Sequence, residues 1–164
     1  MKQRRTVKIC PHRYLPEYDI SIWVDGNLLI IGDVTDLVRK YDLTETPFYT
    51  RIHPSWNCIY EEARHVLMMK KDRPEIVLPL MQRYKDEGFP ERYGLAETCV
   101  VMRRHNDPAC VAFDNMWGEE LLRNSHRDQL SFNYVCWKKR FSPGYMTQEF
   151  RINNSIFKYR PHGI

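Results

Sequence analysis

Residues 18–27 read Tyr18-Asp19-Ile20-Ser21-Ile22-Trp23-Val24-Asp25-Gly26-Asn27, a β-prone run that ends in a turn sequence. Residues 20–24 are rich in β-branched and aromatic side chains, which predicts a short strand. The Asp-Gly-Asn sequence that follows predicts a sharp turn, and the aliphatic residues 28–31 predict a second strand. The expected order is therefore strand, turn, strand.

Outside this stretch, apolar residues follow helical spacing in five further segments. The first is residues 33–38, where Asp33 or Thr35 is available as an N-cap. The other four are residues 60–67, 76–84, 113–121 and 130–137. Strands are predicted at residues 7–10, 48–52 and 98–102, with a closing hairpin made by residues 146–152 and 155–159. This mixed order indicates an α/β fold in which helices pack on a central sheet.

The composition predicts one folded domain over residues 1–164. With 43% apolar and 13% aromatic residues, the chain does not have the composition of a disordered protein. The longest aliphatic run is far shorter than the roughly 20 residues that span a bilayer, and no apolar signal-peptide core follows the first methionine. The five cysteines form no Cys-x-x-Cys pair, which is typical of reduced thiols. We therefore expect a soluble cytoplasmic protein with no membrane span.

The charge balance favours a small anionic ligand over nucleic acid. The formal net charge is +4, from 25 basic and 21 acidic residues. A nucleic-acid binder concentrates its basic residues in a stripe, whereas here segments of mixed charge separate the basic clusters at residues 2–8, 103–104 and 138–140. We expect no nucleic-acid partner. A metal-dependent nuclease built on His105, Asn106 and His126 is a weaker alternative, because these residues lack the paired carboxylates that such sites need.

Asp25 is the first candidate for a functional side chain. Ligands of α/β sheets bind where strands end and the chain leaves the sheet, and Asp25 directly follows the predicted strand 20–24. Gly26 would let a bulky anion approach closely or would permit a left-handed turn. Local sequence alone favours the other interpretation, in which Asp25, Gly26 and Asn27 simply form a hairpin turn.

A set of motifs in fixed order favours a functional role for Asp25 over a simple hairpin turn. Besides residues 18–27, the set contains Lys8-Ile9 with Pro11-His12, His53-Pro54, Cys58-Ile59-Tyr60-Glu61-Glu62, Gly88-Phe89-Pro90, Gly94-Leu95, Arg103-Arg104-His105-Asn106, Trp117-x-x-Glu120 and Ser125-His126-Arg127-Asp128-Gln129-Leu130-Ser131-Phe132. The ordered set resembles a family of GT-A-type glycosyltransferase-like domains that includes plant TOD/MUCI-type proteins and bacterial proteins from surface-polysaccharide gene clusters. The resemblance covers nearly the whole chain.

The resemblance implies a GT-A-like mixed sheet flanked by helices, a nucleotide-sugar donor, with UDP-sugar preferred, and a glycan acceptor. It also implies a divalent cation, Mn²⁺ or Mg²⁺, held at Asp25 against the donor diphosphate, because such cations prefer hard oxygen ligands. The family motif has two acidic residues around one spacer, whereas this sequence has one. Asn27 is the expected neutral second ligand, and His162 is expected as a further ligand near the C-terminus.

The same resemblance suggests catalytic and substrate-binding residues. Asp128 and Gln129 match the position from which GT-A enzymes contact the acceptor hydroxyl or the donor sugar, although Asp128 would equally suit a helix N-cap. The expected substrate-binding residues are Trp23, Arg103, Arg104, His105 and Arg127. Arg103 and Arg104 follow a predicted strand, so they could grip a phosphate at the rim of the sheet. The alternative is a structural ion pair with Glu61, Glu62 or Glu97.

Compared with the family that it resembles, this chain has a short segment before the acidic motif. A GT-A domain places one or two β-α units before the acidic motif, whereas 24 residues precede Asp25 here. We therefore expect a GT-A fold that lacks its first β-α unit or units: a truncated gene product, a pseudo-enzyme, or a domain whose missing strands a partner chain or a second copy supplies. A metal-dependent glycosyltransferase is the favoured function. The alternative is a non-catalytic glycan-binding or scaffold domain.

Overall fold

The centre of the sheet is β4, Ala96–Arg103, in which seven of eight residues are buried. A nearly continuous buried run is expected of a strand that has neighbours on both sides and helices over its faces. β1, Ser21–Val24, pairs with it in antiparallel register, with Trp23 opposite Val101. β3, Phe48–Ile52, pairs with its other edge, also antiparallel.

A computed structural model describes residues 2–147, 150 and 153–160. The short strand β5, Gly144–Tyr145, runs parallel to β3 and completes the sheet order β1-β4-β3-β5. β2, Leu28–Ile30, and β6, Phe157–Tyr159, form a separate antiparallel pair. The helices are α1 Lys2–Ile9, α2 Thr35–Lys40, α3 Ile59–Met68, α4 Pro74–Asp86, α5 Pro108–Arg123 and α6 Gln129–Lys139. The observed architecture is a mixed α/β sheet flanked by helices, as predicted.

The two faces of β4 contribute to two separate hydrophobic cores. Val101 belongs to the larger core, under α3 to α6, whereas Val100 and Met102 belong to the smaller core beside α2 and β6. Alternate residues of a strand point to opposite faces, so the two cores lie on opposite sides of the sheet. Trp117 of α5 is fully buried in the larger core.

Several local predictions are confirmed and others are wrong. The five predicted helices, the strand at residues 20–24 and the turn after it are present. The hairpin is wrong, because β1 pairs with β4 whereas β2 pairs with β6. The second strand of the predicted closing hairpin is present as β6, but its partner is β2, and much of residues 146–152 lies outside the described residues. Within the described ranges, no helix is long and apolar enough to cross a membrane.

The predicted strand at residues 7–10 is also wrong, because residues 2–9 form α1. Its last residues pack against α5. Ile9 is fully buried, and a Cβ atom added to Gly118 of α5 would lie only 2.9 Å from Cys10 Sγ. Burial of one side of a short amphipathic segment fits a helix as well as a strand, and four residues are too few to separate the two periods.

The edges of the main sheet are β1 and β5. A strand from the expected partner chain or second copy would therefore pair with one of these two edges. That expectation stays a prediction.

Gly32 provides a test of the β2–β6 pairing. A Cβ atom at Gly32 would overlap the Ser155 carbonyl oxygen, whereas no atom lies within 4 Å of a Cβ atom at Gly26. We expect Gly32→Ala to lower the free energy of unfolding by about 1–3 kcal/mol, because backbone must move to accept the methyl group. Gly26→Ala is the matched control and should change it by less than about 0.5 kcal/mol. Equal urea midpoints for the two variants would contradict the observed pairing.

Candidate functional site

A cavity of about 560 Å³ opens where β1 ends and the chain turns at Asp25. Residues from several separated parts of the chain line it, which places the end of β1 opposite the start of α6. They include Arg5 and Lys8 of α1, Trp23 of β1, Asp25 and Asn27 of the following turn, Lys71, Thr98 of β4, and Arg127, Asp128 and Gln129. Six of the ten predicted site residues are therefore brought together: Trp23, Asp25, Asn27, Arg127, Asp128 and Gln129.

The side chains of Trp23 and Lys8 contact the Asp25 carboxylate, which stays open to the cavity. Its Oδ1 atom accepts a hydrogen bond of 2.7 Å from the indole Nε1 of Trp23. The same oxygen lies 3.4 Å from Lys8 Nζ. Its side chain is 40% exposed. Trp23, which the sequence predicts to contact substrate, thus has a defined second role in orienting the Asp25 carboxylate.

Asp128 is buried and its carboxylate is paired with two cations. Its Oδ1 atom lies 2.6 Å from Arg5 Nη1, and its Oδ2 atom lies 2.7 Å from Lys8 Nζ. Thr98 Oγ1 donates to Oδ2 at 3.2 Å. Burial alone would raise the pKa of Asp128, but the Lys8 ammonium and the Arg5 guanidinium outweigh burial and hold this pKa below its usual range. Asp128 is therefore a carboxylate at neutral pH.

Asp128 occupies the N-cap position of α6, but its side chain does not cap the helix. The carboxylate instead turns toward Lys8 and Arg5. Asp128 also lines the cavity.

The loop before α6 is pinned from both sides. Ser125 Oγ donates to Asp72 Oδ2 at 2.6 Å and accepts from the backbone NH of Arg127 at 3.0 Å. On the other side, the Trp117 indole donates to the Asp128 carbonyl at 2.9 Å. Burial opposes ionisation of Asp72, but the hydrogen bond from Ser125 and the other donors lower its pKa. Arg127 and Asp128 are therefore presented by a preorganised backbone.

Three buried polar atoms in this cavity have no hydrogen-bond partner within the described part of the chain. They are the acceptor Asn27 Oδ1 and the donors Arg127 Nε and Gln129 Nε2. Buried polar groups in folded proteins are nearly always paired with protein or with water. Their residues line the same cavity as Asp25, so a polar ligand that reached these atoms would offer acceptors to the two donors and a cation or a donor to Asn27.

The remaining predicted residues lie elsewhere. Arg103 is 1% exposed, with Nη1 at 2.7 Å from Asp114 Oδ1 and Nη2 on the Lys8 carbonyl. Arg103 therefore forms a structural ion pair, as the alternative predicted, but its partner among the described residues is Asp114 and it does not line the cavity. His105 is fully buried against the Leu15 carbonyl, and Arg104 is exposed outside the cavity. His162 lies outside the described residues.

The misplacement of residues 103–105 has a topological cause. β4 is antiparallel to β1, and Arg103 lies opposite Ser21 at the start of β1. The carboxyl end of β4 therefore lies at the opposite end of the strands from Asp25. Thr98, near the amino end of β4, lines the cavity. The carboxyl ends of neighbouring strands lie on the same side of a sheet only when the strands are parallel.

Sequence reasoning missed the cationic wall of the cavity. Arg5 and Lys8 are three residues apart, so on a helix they share one face. That spacing is present in the sequence, but the strand prediction at residues 7–10 hid it. Lys71 and Thr98 have no local pattern that identifies them.

Asp25 and Asn27 of the turn after β1 both contribute side-chain oxygen atoms to the lining of the cavity. Within the ranges that the structure describes, no three His, Cys, Asp or Glu side chains are placed to hold a metal ion. A carboxylate and a buried amide oxygen without a partner do suit a hard divalent cation, which takes its other ligands from phosphate and water. The residues fit such a cation as a partial site, completed by an anionic ligand.

The comparisons with known proteins assign this α/β domain, whose cavity is lined by both carboxylates and cations, to the glycosyltransferase-like domains. The chain belongs to the TOD1/MUCI70 glycosyltransferase-like domain family, whose model matches residues 2–159. It is 26% identical over 138 residues to a protein of Arabidopsis thaliana with the name "Probable hexosyltransferase MUCI70". That match covers 78% of this chain but 23% of the relative, so the chain spans less than a quarter of the length of that protein. No solved structure gives a significant match.

Proposed function

We propose that this domain transfers a sugar from a nucleotide-sugar donor, with a UDP-sugar preferred, to a hydroxyl group of a glycan acceptor. The observation that carries the proposal is the group of partnerless buried atoms, among the described residues, in a cation-lined cavity next to Asp25. Membership of a glycosyltransferase-like family supports it. The proposed role is in the synthesis of a polysaccharide or glycoconjugate.

The donor diphosphate is the group that best matches the cationic wall. The Arg127 guanidinium and the Gln129 amide offer unused donors, and Lys71 adds an exposed ammonium at the edge of the cavity. Phosphate oxygens accept several such hydrogen bonds at once. In this proposal these three side chains bind and orient the diphosphate, so Gln129 acts on the donor and not on the acceptor.

Asp25 and Asn27 are the proposed holders of a divalent cation, Mn²⁺ or Mg²⁺. When bound, such a cation neutralises the negative charge that accumulates on the departing nucleoside diphosphate. The indole of Trp23 fixes the orientation of the Asp25 carboxylate toward the cavity. His162 stays a prediction as a further ligand.

Asp128 is proposed to accept a hydrogen bond from a sugar hydroxyl and to hold Lys8 and Arg5 in place. A carboxylate whose pKa is lowered by two neighbouring cations is a weak proton acceptor near neutral pH. Because Arg5 and Lys8 neutralise its charge, its proposed contribution is to position the hydroxyl and the two cations.

Titration calorimetry with UDP and with GDP, each with and without Mn²⁺, tests the proposal together with an assay for nucleoside diphosphate release. We expect UDP to bind more tightly with Mn²⁺ than without, and we expect release of the diphosphate from a UDP-sugar in the presence of glycan acceptors. Glycan binding without nucleotide binding would favour the scaffold alternative. Absence of binding to every nucleotide would contradict the proposed donor site.

A further inference from the structure

Lys8 is a buried cation wedged between the two aspartates of the cavity. Its side chain is 5% exposed, and its Nζ atom lies 2.7 Å from Asp128 Oδ2 and 3.4 Å from Asp25 Oδ1. Thr98 Oγ1 accepts a further hydrogen bond from it at 3.3 Å. The ammonium also lies 5.8 Å from the centre of the Trp23 ring. Four contacts therefore hold one positive charge beside the proposed cation ligand.

This charge has opposite effects on a cation and on an anion at Asp25. A divalent cation on Asp25 meets the fixed ammonium at short range, where like charges repel strongly because the surroundings are partly desolvated. Lys8 cannot easily turn away, since it is buried and since Asp128 holds it. A diphosphate in the same cavity is attracted by Lys8 and also offsets the charge of the cation.

We propose that Lys8 makes cation binding at Asp25 conditional on a bound diphosphate. The inference rests on the proposed function, because it concerns the same donor site. Without the diphosphate, Lys8 weakens cation binding; with it, cation and diphosphate each strengthen binding of the other. This coupling is reciprocal by thermodynamic necessity. Lys8 is thus a positioning residue that keeps the site from filling with cation alone.

The test measures Mn²⁺ binding directly, through the electron paramagnetic resonance signal of the unbound ion, with and without UDP. We expect the wild-type protein to bind Mn²⁺ weakly alone and at least about tenfold more tightly with UDP, which corresponds to ~1.4 kcal/mol. Lys8→Met should bind Mn²⁺ alone at least about tenfold more tightly than wild type. The gain that UDP brings to this variant should shrink accordingly.

Three further variants keep the result interpretable. Lys8→Met combined with Asp128→Asn removes the buried carboxylate that would otherwise lose one of its two cations. It should still bind Mn²⁺ alone more tightly than wild type, but by less than Lys8→Met because a negative charge is lost as well, and it should keep a native circular dichroism spectrum. Lys40→Met is the control, because it removes an exposed cation of α2 that does not line the cavity, and it should leave the affinity for Mn²⁺ unchanged. Adding Asp25→Asn to the double variant should abolish the gain.

The failure of the inference and the failure of the proposed function look different. If the folded double variant binds Mn²⁺ alone no more tightly than wild type, the role of Lys8 is overturned, whatever UDP does. If the wild-type protein never binds UDP, the proposed donor site is overturned. A gain in the variants that persists after Asp25→Asn would also overturn the inference, because it would place the ion elsewhere.

Discussion

Asp25→Asn is expected to lower sugar transfer by about 10²-fold or more while leaving the fold intact. Asparagine has nearly the same shape and still accepts the indole hydrogen bond of Trp23, which is 2.7 Å long in the native protein. The substitution removes only the negative charge that the proposed divalent cation needs. Because the cation stabilises charge that develops as the diphosphate leaves, the loss should fall mainly on kcat.

Asp36→Asn is the matched control for this experiment. Asp36 is an exposed aspartate of α2, paired with Arg39 at 2.7 Å, and it does not line the cavity. Rates of diphosphate release from a UDP-sugar, measured over a range of Mn²⁺ concentrations, compare the two variants with wild type. Retention of more than about half of the wild-type rate by Asp25→Asn would remove Asp25 from the proposed cation site.

The parts of the site that follow from one short segment were predictable from sequence. The strand 20–24 and the acidic turn after it depend on neighbouring residues alone, so the pattern placed Asp25 and Asn27 at an end of β1. The motif before α6 likewise placed Arg127, Asp128 and Gln129 at a helix start. Nothing local could show that these two segments face each other across one cavity.

The errors on the hairpin and on Arg103 share a cause, which is that pairing between distant strands decides them. Whether Arg103 reaches Asp25 depends on the direction of β4 relative to β1, and the residues of β4 are equally suited to either direction. The role of Lys8 depends on α1 packing beside the sheet. That packing brings Lys8 Nζ to 2.7 Å from Asp128 Oδ2, although the two residues are far apart in the sequence.

Asp114→Ala is expected to lower the free energy of unfolding by about 3–5 kcal/mol, the usual effect of removing one partner from a buried ion pair. Asp114 is fully buried and lies 2.7 Å from Arg103, which is 1% exposed. Burial raises the pKa of Asp114, and the Arg103 guanidinium opposes that rise. Without the aspartate, the buried Arg103 guanidinium would lose its counter-charge. It would still donate to the Lys8 carbonyl in the last turn of α1.

The exposed pair Asp36–Arg39 is a control for the effect of burial on stability, because its N–O distance is also 2.7 Å. Asp36→Ala should lower the free energy of unfolding by about 0–1 kcal/mol in the same urea titrations. Replacing both buried partners, by Arg103→Met with Asp114→Leu, should recover much of the loss, because no charge is then left without a partner. If Asp114→Ala lowered stability no more than Asp36→Ala does, Arg103 would not depend on Asp114 in the core, and the predicted role of Arg103 in binding a ligand at the rim of the sheet would have to be reopened.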